Sequence, residues 1–303
     1  MTKIMKRKSA RFGIVVSVLC MIVICIHITS VFSYAQKNFM WRVQSKKSTA
    51  YILGSIHMLK QNIYPLSSII ENAFDAADVL AVEANINDIS GLDVQSLMES
   101  AFYSGDDTLE KHVSSSTLET VKEQTERLGL PFEVVTKQKP WFLGLTLESL
   151  ELMKSGYDPN YGIDKYFLSK AASKKRIVEL ESLDYQIDLL SSLNEDEQEL
   201  FLLYTIKDLK ILEQEVDSLV EAWKSGAADS IESTVTKSFT EDRRFLPLYD
   251  KLIYTRNRNI TSKIEGFLKT RGTYFVVVGS AHLLGDRGII QLLQNKGYSV
   301  EQL

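Results

Sequence analysis

Thr49-Ala-Tyr-Ile-Leu-Gly-Ser-Ile-His57 and Val79-Leu-Ala-Val-Glu83, with Ser67 to Ala77 between them, decide how this 303-residue chain folds. The first run is rich in β-formers and closes on Gly-Ser-x-His. Residues 67–77 carry Ile69, Ile70, Ala73, Phe74 and Ala77 at helical spacing behind Ser67, a good N-cap. Val79 to Val82 is a short, wholly apolar run of the buried-strand type. Strand, helix and strand within about 35 residues make an α/β crossover unit with parallel strands.

Upstream of this unit, Phe39-Met-Trp-Arg-Val-Gln44 reads as a strand that turns through Lys46-Lys47-Ser48 into the next, a hairpin. Downstream, residues 90–155 read as helices with turns at Gly105, Gly129-Leu-Pro131 and Pro140. Asp164 to Ser173 is expected as a helix and Arg176 to Glu181 as a strand. Residues 184–266 read as nearly all helical, broken near Ser192–Asn194, Gly226 and Pro247. Tyr274-Phe-Val-Val-Val-Gly279 is the clearest strand, Ile289 to Lys296 a helix, and Tyr298 to Leu303 a last strand. The fold class is therefore mixed α/β, one domain over residues 36–303 with a helical insertion.

The segment before residue 36 is different. Residues 1–11 are basic, Phe12 to Phe32 is apolar, and Ser33-Tyr34-Ala35 ends in small residues, the order of a secretory signal. The apolar run is long enough to serve as an uncleaved anchor, so two fates are open: cleavage after Ala35, or retention in the membrane. Leu19 and Ile24 precede Cys20 and Cys25, which argues against a lipid anchor. Basic residues before the apolar run keep that end cytoplasmic, so the body is expected to be extracytoplasmic, periplasmic or secreted.

Composition then narrows the chemistry. Five cations and no acid lie in residues 1–35; the rest holds 30 cations against 39 acids, a net charge of −9. Such an acidic body excludes a nucleic-acid backbone as partner. Both cysteines lie in the leader, so the body has no thiol nucleophile, disulfide or cysteine-based zinc site. Its histidines are His57, His112 and His282. His112, in Leu109-Glu-Lys-His112, reads as a solvated helix residue. No His-Glu-x-x-His helix, Gly-x-Ser-x-Gly elbow or Walker loop is present.

The other two histidines share a pattern. Tyr51-Ile-Leu-Gly-Ser-Ile-His57-Met-Leu is echoed by Val276-Val-Val-Gly-Ser-Ala-His282-Leu-Leu. Each is a β-run followed by Gly-Ser-x-His, which places both imidazoles beyond the carboxyl ends of strands, where open α/β sheets bind ligands. Gly54 and Gly279 allow close backbone approach, and Ser55 and Ser280 can bond the exposed amides of the turn. Glu83 ends a third strand in the same way, and Glu181 a fourth. Two imidazoles and a carboxylate suit a divalent metal, Mn, Co, Fe or Zn, with His57, His282 and Glu83 as ligands. A serine two residues from its histidine on one turn is poor geometry for a triad.

These motifs, in this order, resemble the TraB/PrgY/GumN family, which includes the TIKI metalloproteases and is distantly similar to erythromycin-esterase and ChaN-type proteins. The matching parts are Leu53-Gly-Ser-Ile-His57-Met-Leu, Val82-Glu83, Lys139-Pro-Trp141, Gly162-Ile-Asp164, Val178-Glu-Leu-Glu181-Ser-Leu-Asp-Tyr-Gln186, Arg256-Asn257 and Val276 to Gly288, and they span about residues 39–303. The threonine common after the motif glycine is serine here in both copies.

The resemblance implies a small central sheet from two related halves, wrapped by a large helical portion. It also implies an active centre of the paired Gly-x-x-His motifs and a glutamate, and, as in the TIKI branch, a metal-dependent peptidase acting on a peptide or secreted protein. His57, His282 and Glu83 would then bind metal or serve as acid and base, with Arg256 as an oxyanion partner. Asn257, Asp164, Glu181 and Trp141 would support them. ChaN-type relatives raise an alternative, a non-catalytic peptide- or haem-binding protein using the same cleft. A purely structural envelope protein is the third class.

Overall fold

The computed structural model describes residues 37–88, 90, 92–207 and 209–303, and for 237–241 the backbone alone. The export signal expected over residues 1–35, with Cys20, Cys25 and His27, lies outside the described residues. No helix among the described residues is long and apolar enough to cross a membrane.

The sheet has six strands: β1 (Met40–Gln44), β2 (Ser48–Ser55), β3 (Val79–Val82), β4 (Arg176–Glu179), β5 (Gly272–Gly279) and β6 (Ser299–Gln302). Their order is β4-β3-β5-β2-β1-β6. The four strands β4, β3, β5 and β2 run parallel, while β1 and β6 close one side antiparallel. The expected hairpin is present, with Met40 opposite Leu53 and Gln44 opposite Thr49.

The helices follow in chain order. They are α1 (Ser68–Ala76), α2 (Val94–Ala101), α3 (Ser115–Leu128), α4 (Pro140–Lys154), α5 (Ile163–Ala171) and α6 (Leu183–Ser191). Then come α7 (Glu195–Lys207), α8 (Leu212–Lys224), α9 (Ala228–Glu241), α10 (Thr255–Lys269), α11 (Ser280–Leu283) and α12 (Ile289–Asn295). Ser67 caps α1 as its type predicts, accepting from the Ile70 amide. The break expected near Pro247 falls at Asp242, between α9 and a 3-10 turn, Arg243–Phe245. Leu246–Tyr249 and a π-helical stretch, Asp250–Tyr254, then lead unbroken into α10, with Pro247 in the first turn, where a missing N–H costs nothing.

Two cores result. The main one joins the strands to α1, α5, α10 and α12. Phe74 of α1, Phe167 of α5 and Phe275 of β5 pack ring to ring at its heart, with centroids 4.7–5.5 Å apart. Val276, Val277 and Val278 of β5 are wholly buried, and β5 is apolar and buried without alternation from Tyr274 to Val278, as a parallel strand paired on both sides should be. A separate cluster, built on Val121, Leu143, Leu147, Leu202 and Ile206, holds α3, α4 and α7 together. Burial of each such side chain is worth about 1.5–3 kcal/mol.

Candidate active site

The sheet order brings the sequence echo together in space. β2 and β5 are parallel neighbours, with Ser55 opposite Gly279, so the two Gly-Ser-x-His turns leave the sheet side by side. β3 lies on the other flank of β5, with Val82 opposite Val277. Glu83 therefore emerges beside Gly279. Pairing with β4 runs on past the strand ends, through Leu180 N–H to Val82 O at 2.8 Å and Glu181 N–H to Glu83 O at 2.7 Å.

Each imidazole is fixed through Nδ1 by an oxygen. His57 Nδ1 lies 2.7 Å from Asp164 Oδ2 in the first turn of α5. The Ser55 hydroxyl donates to the same carboxylate oxygen. The loop before α5 also braces the turn: Ile163 N–H donates to Ile56 O at 3.1 Å, and a Cβ on Gly162 would stand 2.2 Å from His57 O. No side chain fits there, which explains the glycine. His282 Nδ1 lies 2.6 Å from Asn257 Oδ1 on α10. Asn257 Nδ2 donates to Arg287 O at 2.9 Å, so its oxygen must face His282 and accept. His282 thus carries its proton on Nδ1 and presents Nε2 as a bare lone pair.

Everything meets at Gly279. A Cβ there would lie 3.2 Å from Glu83 Oε1, 3.5 Å from His282 Cδ2 and 3.8 Å from His57 Nε2. Glu83 is buried and heavily engaged. Its Oε1 accepts from Gly279 N–H at 2.5 Å; its Oε2 accepts from Arg256 Nη2 at 2.6 Å and Gln186 Nε2 at 3.1 Å. Arg256 also grips Glu181, through Nε at 3.0 Å and Nη2 at 2.6 Å.

The two histidines have opposite environments. The His57 side chain is 68 % exposed, and the Asp164 carboxylate beside it raises its pKa to about 9. His282 is buried, 3 % exposed, and burial lowers its pKa to about 4. Burial alone would raise the Glu83 carboxyl. His282, which is charged in the acid range where this carboxyl titrates, together with Arg256, His57 and the Gly279 amide, outweighs that and holds it at about 2.

The structure thus gathers His57, His282, Glu83, Arg256, Gly54, Ser55, Gly279, Ser280, Asp164, Glu181 and Asn257 around these strand ends. Ser280 Oγ donates to Ser55 O at 2.9 Å, so neither motif serine gives its hydroxyl to its own histidine. A Cβ on Gly54 would stand 2.2 Å from the Phe39 ring, so this glycine is required by packing. Trp141 is not brought to the histidines: it is buried in the first turn of α4 and donates to Ser100 O at 3.1 Å. His112 corrects its sequence reading. It follows a short 3-10 turn, Leu109–Lys111, and is held between Asp107 and Glu195 with its side chain only 22 % exposed.

Two residues escaped the sequence reading as site members. Gln186 bridges Glu83 and Glu181 at 3.1 Å each. Glu148 on α4 feels the charge of His57, and burial pushes its carboxyl upward. Seven residues after Trp141, it shares the helical face of that residue. In sequence it is one acid among several.

The donor set fits a metal in part. Two Nε2 atoms, each oriented by an oxygen at Nδ1, are the usual arrangement of imidazole ligands. Glu83, expected as the third ligand, has both oxygens committed to Gly279, Arg256 and Gln186. Among the described residues no three His, Cys, Asp or Glu side chains are placed to hold an ion.

Fold and site together define an α/β protein with two fixed imidazoles and a clamped carboxylate at the ends of three adjacent parallel strands. The chain belongs to the TraB/PrgY/gumN family, whose model matches residues 39–302. It is 26% identical over 249 residues to the uncharacterized protein YbaP of Shigella flexneri, covering 81% of this chain and 88% of that one. The Escherichia coli YbaP is similar at 26% over 248 residues, 80% and 87% of the two chains. A metalloprotease TIKI homolog of Amphimedon queenslandica matches at 34% over 58 residues, 18% of this chain and 11% of that protein. No solved structure matches the chain.

Proposed function

We propose that this protein is an extracytoplasmic peptidase that cleaves a peptide or secreted protein at the Gly279 site with the help of a divalent metal. The observation that carries this reading is the meeting of His57, His282 and Glu83 around one backbone glycine, each imidazole held from behind. The short likeness to a metalloprotease TIKI homolog supports it.

His57 and His282 are the residues that would hold Mn, Co, Fe or Zn. Such an ion, when bound, supplies polarisation of the scissile carbonyl and an acidified water. Ligation through Nε2 needs neutral imidazoles. His282 is already neutral near pH 7, whereas His57 must release a proton. Metal affinity should therefore rise with pH toward 9. Glu83 and Arg256 act as a clamp. With its guanidinium on two carboxylates, Arg256 holds Glu83 against the Gly279 amide and fixes the floor of the site.

The test is cleavage of an unstructured peptide pool by the purified protein with Mn²⁺, Co²⁺, Fe²⁺ or Zn²⁺ added in turn. His57→Ala and His282→Ala should each lower the rate at least 100-fold. Absence of cleavage with every ion would remove the peptidase reading.

A further inference from the structure

Neutral His282 can carry its proton on either ring nitrogen, and its surroundings pull in opposite directions. Glu83 Oε1 lies 3.9 Å from His282 Nε2. That is too far for a hydrogen bond, but a carboxylate there favours a proton on the nitrogen that faces it. Asn257 Oδ1, 2.6 Å from Nδ1, favours the proton on the other side. The amide prevails only while it cannot turn over. Its oxygen and nitrogen are alike in size, so hydrogen-bond partners alone set which of them faces the ring. With Nδ2 toward His282, Nδ1 would have to accept, and the proton would move to Nε2.

The partner of Asn257 Nδ2 is Arg287 O, at 2.9 Å. Arg287 lies in the turn between α11 and α12. The backbone bond of that turn, Gly288 N–H to Gly285 O at 2.9 Å, does not use the Arg287 carbonyl. The half-exposed Arg287 side chain reaches back over the same helical stretch that carries Asn257. Its Nη2 donates to Asp250 Oδ1, and its guanidinium carbon lies 3.8 Å from the centre of the Tyr254 ring. Asp250 and Tyr254 are the first and last residues of the π-helical stretch, and Asn257 follows in the first turn of α10. Arg287 therefore meets one continuous helix at three points, twice through its side chain and once through its carbonyl. An exposed ion pair or a cation on an aromatic face is weak by itself. Both contacts together fix the residue whose carbonyl Asn257 needs, and a planar guanidinium can make both at once.

We propose that Arg287 is a positioning residue of the histidine site. Its side chain, held on Asp250 and Tyr254, keeps its own carbonyl against Asn257, and through Asn257 keeps the His282 proton on Nδ1 and the Nε2 lone pair bare. A bare Nε2 is what an ion needs of an imidazole. That use rests on the peptidase reading, whereas the tautomer does not.

The test reads the imidazole nitrogen resonances of the full-length protein near neutral pH, where His282 is uncharged, with no ion or substrate added. His282→Gln identifies the signals. The parent should show Nδ1 protonated and Nε2 bare. Arg287→Ala should lower the ratio of the Nδ1–H to the Nε2–H form about fivefold, the share of one hydrogen bond. Tyr254→Leu should act in the same direction. Tyr254→Phe, which keeps the ring face, should leave the ratio alone, and Arg287→Lys should fall between parent and Arg287→Ala. Unmoved His112 signals show that a variant is folded. A His282 proton on Nε2 in the parent, which needs no variant to fold, would overturn the proposal. So would an unchanged ratio in folded Arg287→Ala or Tyr254→Leu. Failure to cleave any peptide would not move the ratio, so the two readings fail separately.

Discussion

His57 and His282 occupy matching places in one motif and differ through what stands behind them. A carboxylate backs His57, and a neutral amide backs the buried His282. Stability should therefore depend on pH from both sides. His282 and Glu83 have folded pKa values of about 4 and 2, below their ordinary values of 6.5 and 4.5. The stability each contributes is complete above its ordinary value and is lost as pH falls, between 6.5 and 4 for His282 and between 4.5 and 2 for Glu83. His57, raised to about 9, works the other way: its contribution is complete below 6.5 and disappears as pH rises through 9. Because His57 is open to solvent, its alkaline effect is the smaller one. Thermal midpoints should peak near neutral pH and fall more steeply on the acid side. His282→Gln should flatten the acid limb between pH 6.5 and 4, and Asp164→Asn the alkaline limb. Equal slopes in the variants and the parent would contradict this assignment.

At the scale of elements, three strand ends deliver the chemistry and α10 locks it. The first turn of α10, directly after the π-helical stretch Asp250–Tyr254, sends Arg256 to Glu83 and Glu181, and Asn257 to His282. π-Helical turns inside α-helices often lie at functional sites, because the extra residue re-aims the side chains that follow. Removing the guanidinium would leave two buried carboxylates unpaired. Arg256→Met should cost about 3–5 kcal/mol in urea unfolding, and adding Glu181→Gln should recover part of the loss. A change below about 1 kcal/mol would show that the clamp does not hold these strand ends together. How much of this was legible follows from spacing. Gly-Ser-x-His57, Gly-Ser-x-His282 and Glu83 each follow an apolar run, so their strand-end placement could be read locally. Gln186 lies on a helix among other polar residues, and no local pattern separates a helical amide that reaches buried carboxylates from one that faces water.

At the scale of the whole molecule, the acidic body and its basic leader carry a prediction of location. Net charge −9 over the residues after 35 and five cations before them fit export with the amino terminus cytoplasmic. Cell fractionation should place the body outside the cytoplasmic membrane. Its mass would separate the two fates of the leader: loss of about 35 residues for cleavage, full length in the membrane fraction for an anchor. Recovery of the full-length protein in the cytosol would oppose both, and with them the extracytoplasmic part of the proposal.

The sequence alone determined the fold class, the parallel crossover unit, the strand-end position of the two histidines and the absence of thiol chemistry from the body. These depend on neighbours a few residues apart: alternation, capping, glycine turns and composition. Only the tertiary structure decided which groups are paired and which are bare. Arg256 reaches Glu83 across 173 residues of chain and Glu181 across 75, and His57 reaches Asp164 across 107. Those pairings committed Glu83 to Arg256 and shifted His57 toward its charged form and His282 toward its neutral form. Burial and electrostatic contact are properties of the folded neighbourhood, which local periodicity does not specify.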